Sequence, residues 1–184
     1  MTPVIVIGTM QGREAWAEDC RRSIKGASVA IVYSTGFELS VIGEAARQFS
    51  EFIFLPDSTE VLDPLDLVER CFSHHRSVSL SQFPAPFGMY LGKYRSDHVQ
   101  QLGVPLVPDK VAAVRYETEW TRQYASIAAY ENLGNLPHSN TFEQRHGRLN
   151  MVCENRWLRR YKASWDEITM TQEHERIERE RSKA

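Results

Sequence analysis

No apolar run among the 184 residues approaches the roughly 20 needed to span a membrane. The amino terminus reads Met-Thr-Pro and then an apolar pentamer, which is not a signal-peptide pattern. Cysteine is scarce. Cys20, Cys71 and Cys153 are far apart and have no metal-ligand spacing, and their odd number without a secretion signal points to a reducing cytosol. Neither sign of charge dominates: 22 Lys and Arg against 24 Asp and Glu leave a net charge of -2, which argues against a general polyanion binder but leaves local patches open. The familiar catalytic signatures are missing too. Gly8-Thr9-Met10-Gln11-Gly12 has the wrong spacing for a Walker loop or a G-x-G-x-x-G turn, and there is no H-E-x-x-H and no nucleophile elbow. His74 and His75 are adjacent, so on a helix or strand they point apart and do not share one ion. Nothing positions Ser34 for hydrolysis with His75 and an aspartate. There is no internal repeat and no low-complexity linker. These absences leave a soluble intracellular protein, expected to be cytoplasmic, with no membrane partner.

What is present is an ordinary globular composition, 42% hydrophobic and 25% charged, at a length that suits one domain with a sizeable core. Residues 4–7 are a β-branched run closed by Gly8-Thr9, and residues 14–25 carry Trp16, Cys20 and Ile24 at helical spacing before Gly26. Residues 29–33 form a second strand, and residues 38–48 a helix with Leu39, Ile42, Ala46 and Phe49 inward. A third strand, residues 52–55, ends at Pro56, which cannot donate to a ladder. This β-α-β-α-β order predicts an α/β fold, a mostly parallel sheet covered by helices.

Further on, Asp63-Pro64 is a strong helix start, and residues 77–81 make a fourth strand. Residues 82–88 form a stiff aromatic loop, followed by a strand through residues 89–91. Residues 96–102 are a short helix, and Asp109 caps a longer one running toward residue 130. Residues 133–140 read as loop, residues 164–167 as a capping box, and residues 166–184 as a charged helix or tail.

Polar residues gather at three strand ends: Thr9 with Gln11 and Arg13, Tyr33 with Ser34 and Thr35, and Asp57 with Ser58. In an open parallel sheet these converge on one crevice at the carboxyl edge, where such sheets bind ligands. An aromatic ring, hydroxyls and a carboxylate suit a nucleotide. Asp57 can hold a divalent cation and, through it, a diphosphate; the plain alternative for Asp57-Ser58-Thr59 is a turn with local hydrogen bonds.

On these residues the chain resembles the GT-A glycosyltransferases. The opening from Val4 to Thr9 with Arg13, the Asp57-Ser58-Thr59 segment before Asp63-Pro64, the run from Pro86 to Tyr94 and the stretch from Asn150 to Trp165 are similar to compact members encoded by bacteriophages. The resemblance covers residues 4–165, with residues 1–76 as a nucleotide-binding half and 77–165 as an acceptor half. It implies transfer of a sugar from a nucleotide-sugar to an acceptor hydroxyl, such as a hydroxymethylated DNA base or a virion protein, in the host cytoplasm. It implies Thr9, Gln11, Arg13, Tyr33, Ser34, Asp57 and Ser58 as donor-binding residues and Asp57 as ligand of a Mn or Mg ion. Asp109 is the positional match for the catalytic base, with Glu117 and Glu119 as rivals that cannot both face the crevice. Phe83, Phe87, Tyr90 and Lys93 stand on the acceptor side, and Arg13, Lys93 or Lys110 can assist the phosphate. Asp57-Ser58-Thr59 departs from D-x-D in having one carboxylate, which puts metal dependence in doubt. A DNA acceptor calls for a basic stripe, with Arg145, Arg148, Arg156, Arg159, Arg160 and Lys162 as its candidates. The alternatives are a nucleotidyltransferase and a non-catalytic nucleotide-sugar-binding module on the same fold.

Overall fold

The alternation of side chains along three adjacent strands divides the core into two layers. In the computed structural model, which describes residues 3–34, 37–73, 75–82, 85–136 and 138–163, β1 (Val4–Thr9) lies between β2 (Ser28–Tyr33) and β3 (Glu51–Pro56), parallel to both. Successive side chains of a strand point to opposite faces. Ile5, Ile7, Ile53 and Leu55 therefore pack on one side with Ala17 and Cys20 of α1 (Glu14–Ser23). Val6, Phe52 and Phe54 pack on the other with Leu39, Ile42 and Ala45 of α2 (Glu38–Gln48). Gly8 lacks a side chain for a packing reason: a Cβ there would stand 2.7 Å from the Phe54 ring.

Strand β3 makes a two-residue turn at Asp57-Ser58 into β4 (Thr59–Val61). Helix α3 (Pro64–Phe72) follows, its start fixed by the Asp63 carboxylate, which accepts from the Asp66 N–H at 3.2 Å. Then come β5 (Ser77–Ser79), a 3-10 turn (Gly88–Tyr90), β6 (Gly92–Arg95), α4 (Ser96–Leu102), α5 (Lys110–Ile127) and β7 (Tyr130–Asn132). The six-stranded sheet has the order β2-β1-β3-β6-β5-β7 and is mostly parallel, with β6 antiparallel to both its neighbours. Helices cover it, so the α/β expectation holds at this level.

Two local readings are corrected. Residues 89–91 are not a strand: Phe87, Met89 and Tyr90 all have positive φ (60°, 56° and 57°), and extended pairing resumes only at Gly92. Gly92 is required there, because a Cβ would meet the Val78 carbonyl and the Phe87 ring, each at 2.5 Å. Residues 133–140 are not all loop, since β8 (His138–Arg145) begins within them. Together with β9 (Arg148–Glu154) and β10 (Leu158–Ala163) it forms a second, antiparallel sheet in the order β4-β10-β9-β8. This sheet is joined to the first through the Asp57-Ser58 turn, where the Tyr161 N–H donates to the Ser58 carbonyl at 2.9 Å. The predicted capping box at 164–167, the charged tail, Thr35, Phe83 and His74 lie outside the described residues. No helix among the described residues is long and apolar enough to cross a membrane.

Candidate functional site

Parallel strands β1, β2 and β3 deliver their carboxyl ends to one side of the sheet, and the β9–β10 arm of the second sheet rises opposite them. Between the two is a cavity of about 660 Å³. Its sheet-side wall contains Thr9, Arg13, Ser34, Asp57 and Ser58, five of the seven residues expected to bind a donor. Gln11 is exposed on the loop after β1, and Tyr33 is 56% exposed; neither lines the cavity.

Both oxygens of the Asp57 carboxylate are engaged. Arg13 reaches it bidentately, Nη2 to Oδ1 at 2.6 Å and Nε to Oδ2 at 2.7 Å, and the Thr9 hydroxyl donates to Oδ2 at 2.8 Å. The Asp57 side chain is only 7% exposed and that of Arg13 22%, so water competes weakly for the pair. Helix α1 positions the guanidinium, which also lies over the Trp16 ring, 4.9 Å from its centroid. A cation on Asp57 would meet the Arg13 guanidinium, already bound to both carboxylate oxygens. Ser58 adds only a hydroxyl, and among the described residues no group of three or more His, Cys, Asp or Glu is placed to share an ion. The donor set does not fit a resident divalent cation in this arrangement.

Of the three candidate bases, only Glu117 reaches the cavity. It sits on α5, its Oε1 accepting the Met89 N–H at 2.6 Å. Burial raises its pKa above the ordinary glutamate value and raises it further against Glu38, while the Met89 N–H, Arg160 and Lys162 pull the other way. Asp109 instead caps α5, accepting from the Ala112 N–H at 2.8 Å on an exposed surface. Glu119, two residues from Glu117 and so on another face, pairs with Arg115 at 3.5 Å and lines a separate shallow cleft beside Trp120.

The acceptor-side residues separate in the same way. The Tyr90 ring forms cavity wall, its hydroxyl committed to the Ala113 carbonyl at 3.0 Å. Phe87 is wholly buried and packs on Tyr94 and Tyr124, with ring centroids 5.2 Å apart in both pairs. Lys93 is also fully buried, bound to Glu51 at 3.1 Å and placed over the Phe72 ring. Phe87 and Lys93 therefore serve packing, away from the cavity, and the Lys110 side chain is outside the described residues.

The sequence reading did not assign the opposite wall to the donor site. Arg148, Arg160, Tyr161 and Lys162 line it. The six candidates for a basic stripe in fact divide. Arg156 is tied to Asp66 and Arg159 to Glu154, and Arg145 bonds Asp19 at 3.1 Å and lies 3.6 Å from Glu60, while the other three face the cavity. Alternation along β10 gave a partial signal, since Arg160 and Lys162 are two apart and share a face.

The turn that carries Arg148 is fastened to α1. Asp19 receives both Arg145 and the His146 ring nitrogen (2.9 Å), and Arg145 stacks 4.1 Å from the Tyr161 ring centroid. Burial disfavours the Asp19 carboxylate, yet these two partners outweigh it and hold its pKa below the ordinary value. His146 (φ 49°) and Gly147 (φ 75°) supply the left-handed pair that a tight two-residue hairpin turn needs.

No family model matches the chain, and no curated protein matches it. Among solved structures, the crystal structure of A197 from STIV is similar, with a TM-score of 0.50 over 89% of this chain and 95% of that one. Only 11% of residues are identical, so the likeness concerns the fold alone.

Proposed function

We propose that the protein is a glycosyltransferase of the GT-A type, which moves a sugar from a nucleotide-sugar to an acceptor hydroxyl within this cavity. The observation that carries the reading is the convergence on one cavity of three strand ends, a basic wall and a carboxylate with a raised pKa. Thr9 and Ser34 face the nucleotide from the sheet, with the ring of Phe37 as a stacking surface beside them. The volume suits a ligand of that size.

In the reaction, Glu117 accepts the proton of the acceptor hydroxyl as its oxygen attacks the anomeric carbon. The bond from that carbon to the diphosphate oxygen breaks, and the diphosphate leaves with the electron pair toward the basic wall. A carboxylate whose pKa is raised by burial is a stronger base once ionised, which suits this role. Met89 holds the two sides in register: its N–H binds Glu117, and its carbonyl accepts Arg160 Nη1 at 3.2 Å. The positive φ of Met89 is a backbone strain of order 1–3 kcal/mol of the kind that collects at functional sites.

The test is incubation with UDP-, GDP-, CDP- and TDP-sugars, with and without DNA bearing hydroxymethylated bases or virion protein, followed by chromatography of the nucleotide. Release of one nucleoside diphosphate, faster with an acceptor, is expected. Binding without any release would favour the non-catalytic module, and release of pyrophosphate from a nucleoside triphosphate the nucleotidyltransferase.

A further inference from the structure

We infer that the cavity neutralises the diphosphate of its ligand with side-chain cations alone, Arg160 and Lys162 of β10 together with Arg148, and that Asp57 orients Arg13 rather than holding a metal ion. This rests on the nucleotide-sugar reading for the ligand's identity, but the diphosphate chemistry stands on its own observations.

A divalent cation bridges carboxylate and diphosphate only where a carboxylate oxygen is open to it. Here Oδ1 and Oδ2 of Asp57 are both occupied, by a bidentate guanidinium and a threonine hydroxyl at 2.6–2.8 Å. The residues that follow, Ser58 and Thr59, are buried and bring no second charge. The positive charge at this position is already supplied by Arg13.

The facing wall is arranged differently. Arg160 pairs in register with Cys153 on one side and Thr59 on the other, so β10 is fixed beside the Asp57-Ser58 turn and cannot drift. Arg160 and Lys162, two residues apart, point the same way, and no ion pair joins either to an acid among the described residues. The nearby acid, Glu117, spends Oε1 on the Met89 N–H. Arg160 directs Nη1 to the Met89 carbonyl, but its Nε–H is buried without a partner. A buried donor left unpaired is costly, and Glu117 is the acid on which both cations act. Besides the Arg13–Asp57 pair, the three cations that line the cavity, Arg148, Arg160 and Lys162, outnumber the two glutamates that line it, Glu38 and Glu117, so an anionic ligand is favoured there. Three donor-bearing side chains around a pocket of this volume match the several acceptor oxygens of a diphosphate, and arginine suits their spacing by its fork geometry.

Titration calorimetry with inorganic pyrophosphate and with UDP and GDP, in EDTA and then in Mg or Mn, tests this on wild type, Arg160→Gln and Lys162→Gln. The Lys162 side chain makes no hydrogen bond among those described, so its variant is expected to keep the fold even if Arg160→Gln does not. The expected result is binding that persists in EDTA, falls with added salt and weakens roughly 10- to 100-fold in each variant. Binding that appears only with the metal, or equal affinity in wild type and both variants, would overturn the inference, as would no binding of any probe. Metal-free pyrophosphate binding in a protein that releases no nucleoside diphosphate from sugars would sustain the inference and sink the transferase reading. Metal-dependent sugar transfer would do the reverse.

Discussion

Glu117→Gln is expected to slow sugar transfer by orders of magnitude while leaving the fold at least as stable as wild type at neutral pH. A positioned general base contributes about 10²- to 10⁴-fold to rate, so kcat should fall by that much with the donor Kd little changed. The amide retains an oxygen for the Met89 N–H, so the strained turn keeps its anchor. The direction of the stability change follows from the raised pKa. A carboxyl whose folded-state pKa lies above its unfolded one favours folding in its protonated form. That contribution is complete below the unfolded pKa and is lost as pH rises through the folded pKa. Once ionised, Glu117 therefore burdens the fold through burial and its neighbour Glu38, partly offset by Met89, Arg160 and Lys162. The variant should match wild type in thermal midpoint near pH 4 and equal or exceed it at pH 7. Wild-type kcat should rise with pH through a midpoint above that of an ordinary glutamate. A variant retaining full kcat, or an acid limb at the ordinary value, would remove Glu117 from the mechanism.

Arg13→Ala should destabilise the protein more than Asp57→Ala, by about 3 kcal/mol, or a drop in Tm of roughly 6–12 °C for a chain of this size. Removing one partner of a buried pair leaves the other uncompensated. The Asp57 side chain, at 7% exposure, would keep only the Thr9 hydroxyl, whereas Arg13, at 22%, can turn toward water over Trp16. Urea denaturation of both single variants and the double variant gives the coupling energy directly. A double variant no less stable than wild type would fit a pair kept for orientation rather than stability. Additive single effects would mean that the pair is uncoupled, against the geometry.

Much of the sheet was legible because period 2 and turn chemistry agree there. The β-branched run before Gly8-Thr9, the stop at Pro56 and the cap at Asp63 are local signals, and each gave its element to within a residue or two. Strand order placed Thr9, Ser34 and Asp57 on one edge. What occupies Asp57 was not legible, since Arg13 lies 44 residues away and only the docking of α1 brings it in. Residues 133–140 read as loop from their Asn, Pro and Gly, because pairing with β9, not propensity, makes His138–Arg145 a strand. The second sheet that follows is what turns Arg160 and Lys162 toward the cavity, so from sequence those two residues read as members of a basic stripe for an acceptor and not as a wall of the donor site. Lys93 misled for the opposite reason: the resemblance of the run from Pro86 to Tyr94 implied an acceptor-side role, but the side chain is buried against Glu51 and Phe72. Non-glycine residues at positive φ, as at Phe87, Met89 and Tyr90, carry no propensity signal at all.

A crystal structure of the protein grown with the nucleoside diphosphate that calorimetry selects would locate the ligand without assuming any role for it. The account predicts the nucleotide at the ends of β1 and β2 beside Thr9 and Ser34, its diphosphate against Arg160 and Lys162, and the Arg13–Asp57 pair intact. A nucleotide bound in the cleft beside Trp120, or a diphosphate carried by a metal ion on Asp57 with Arg13 displaced, would contradict it.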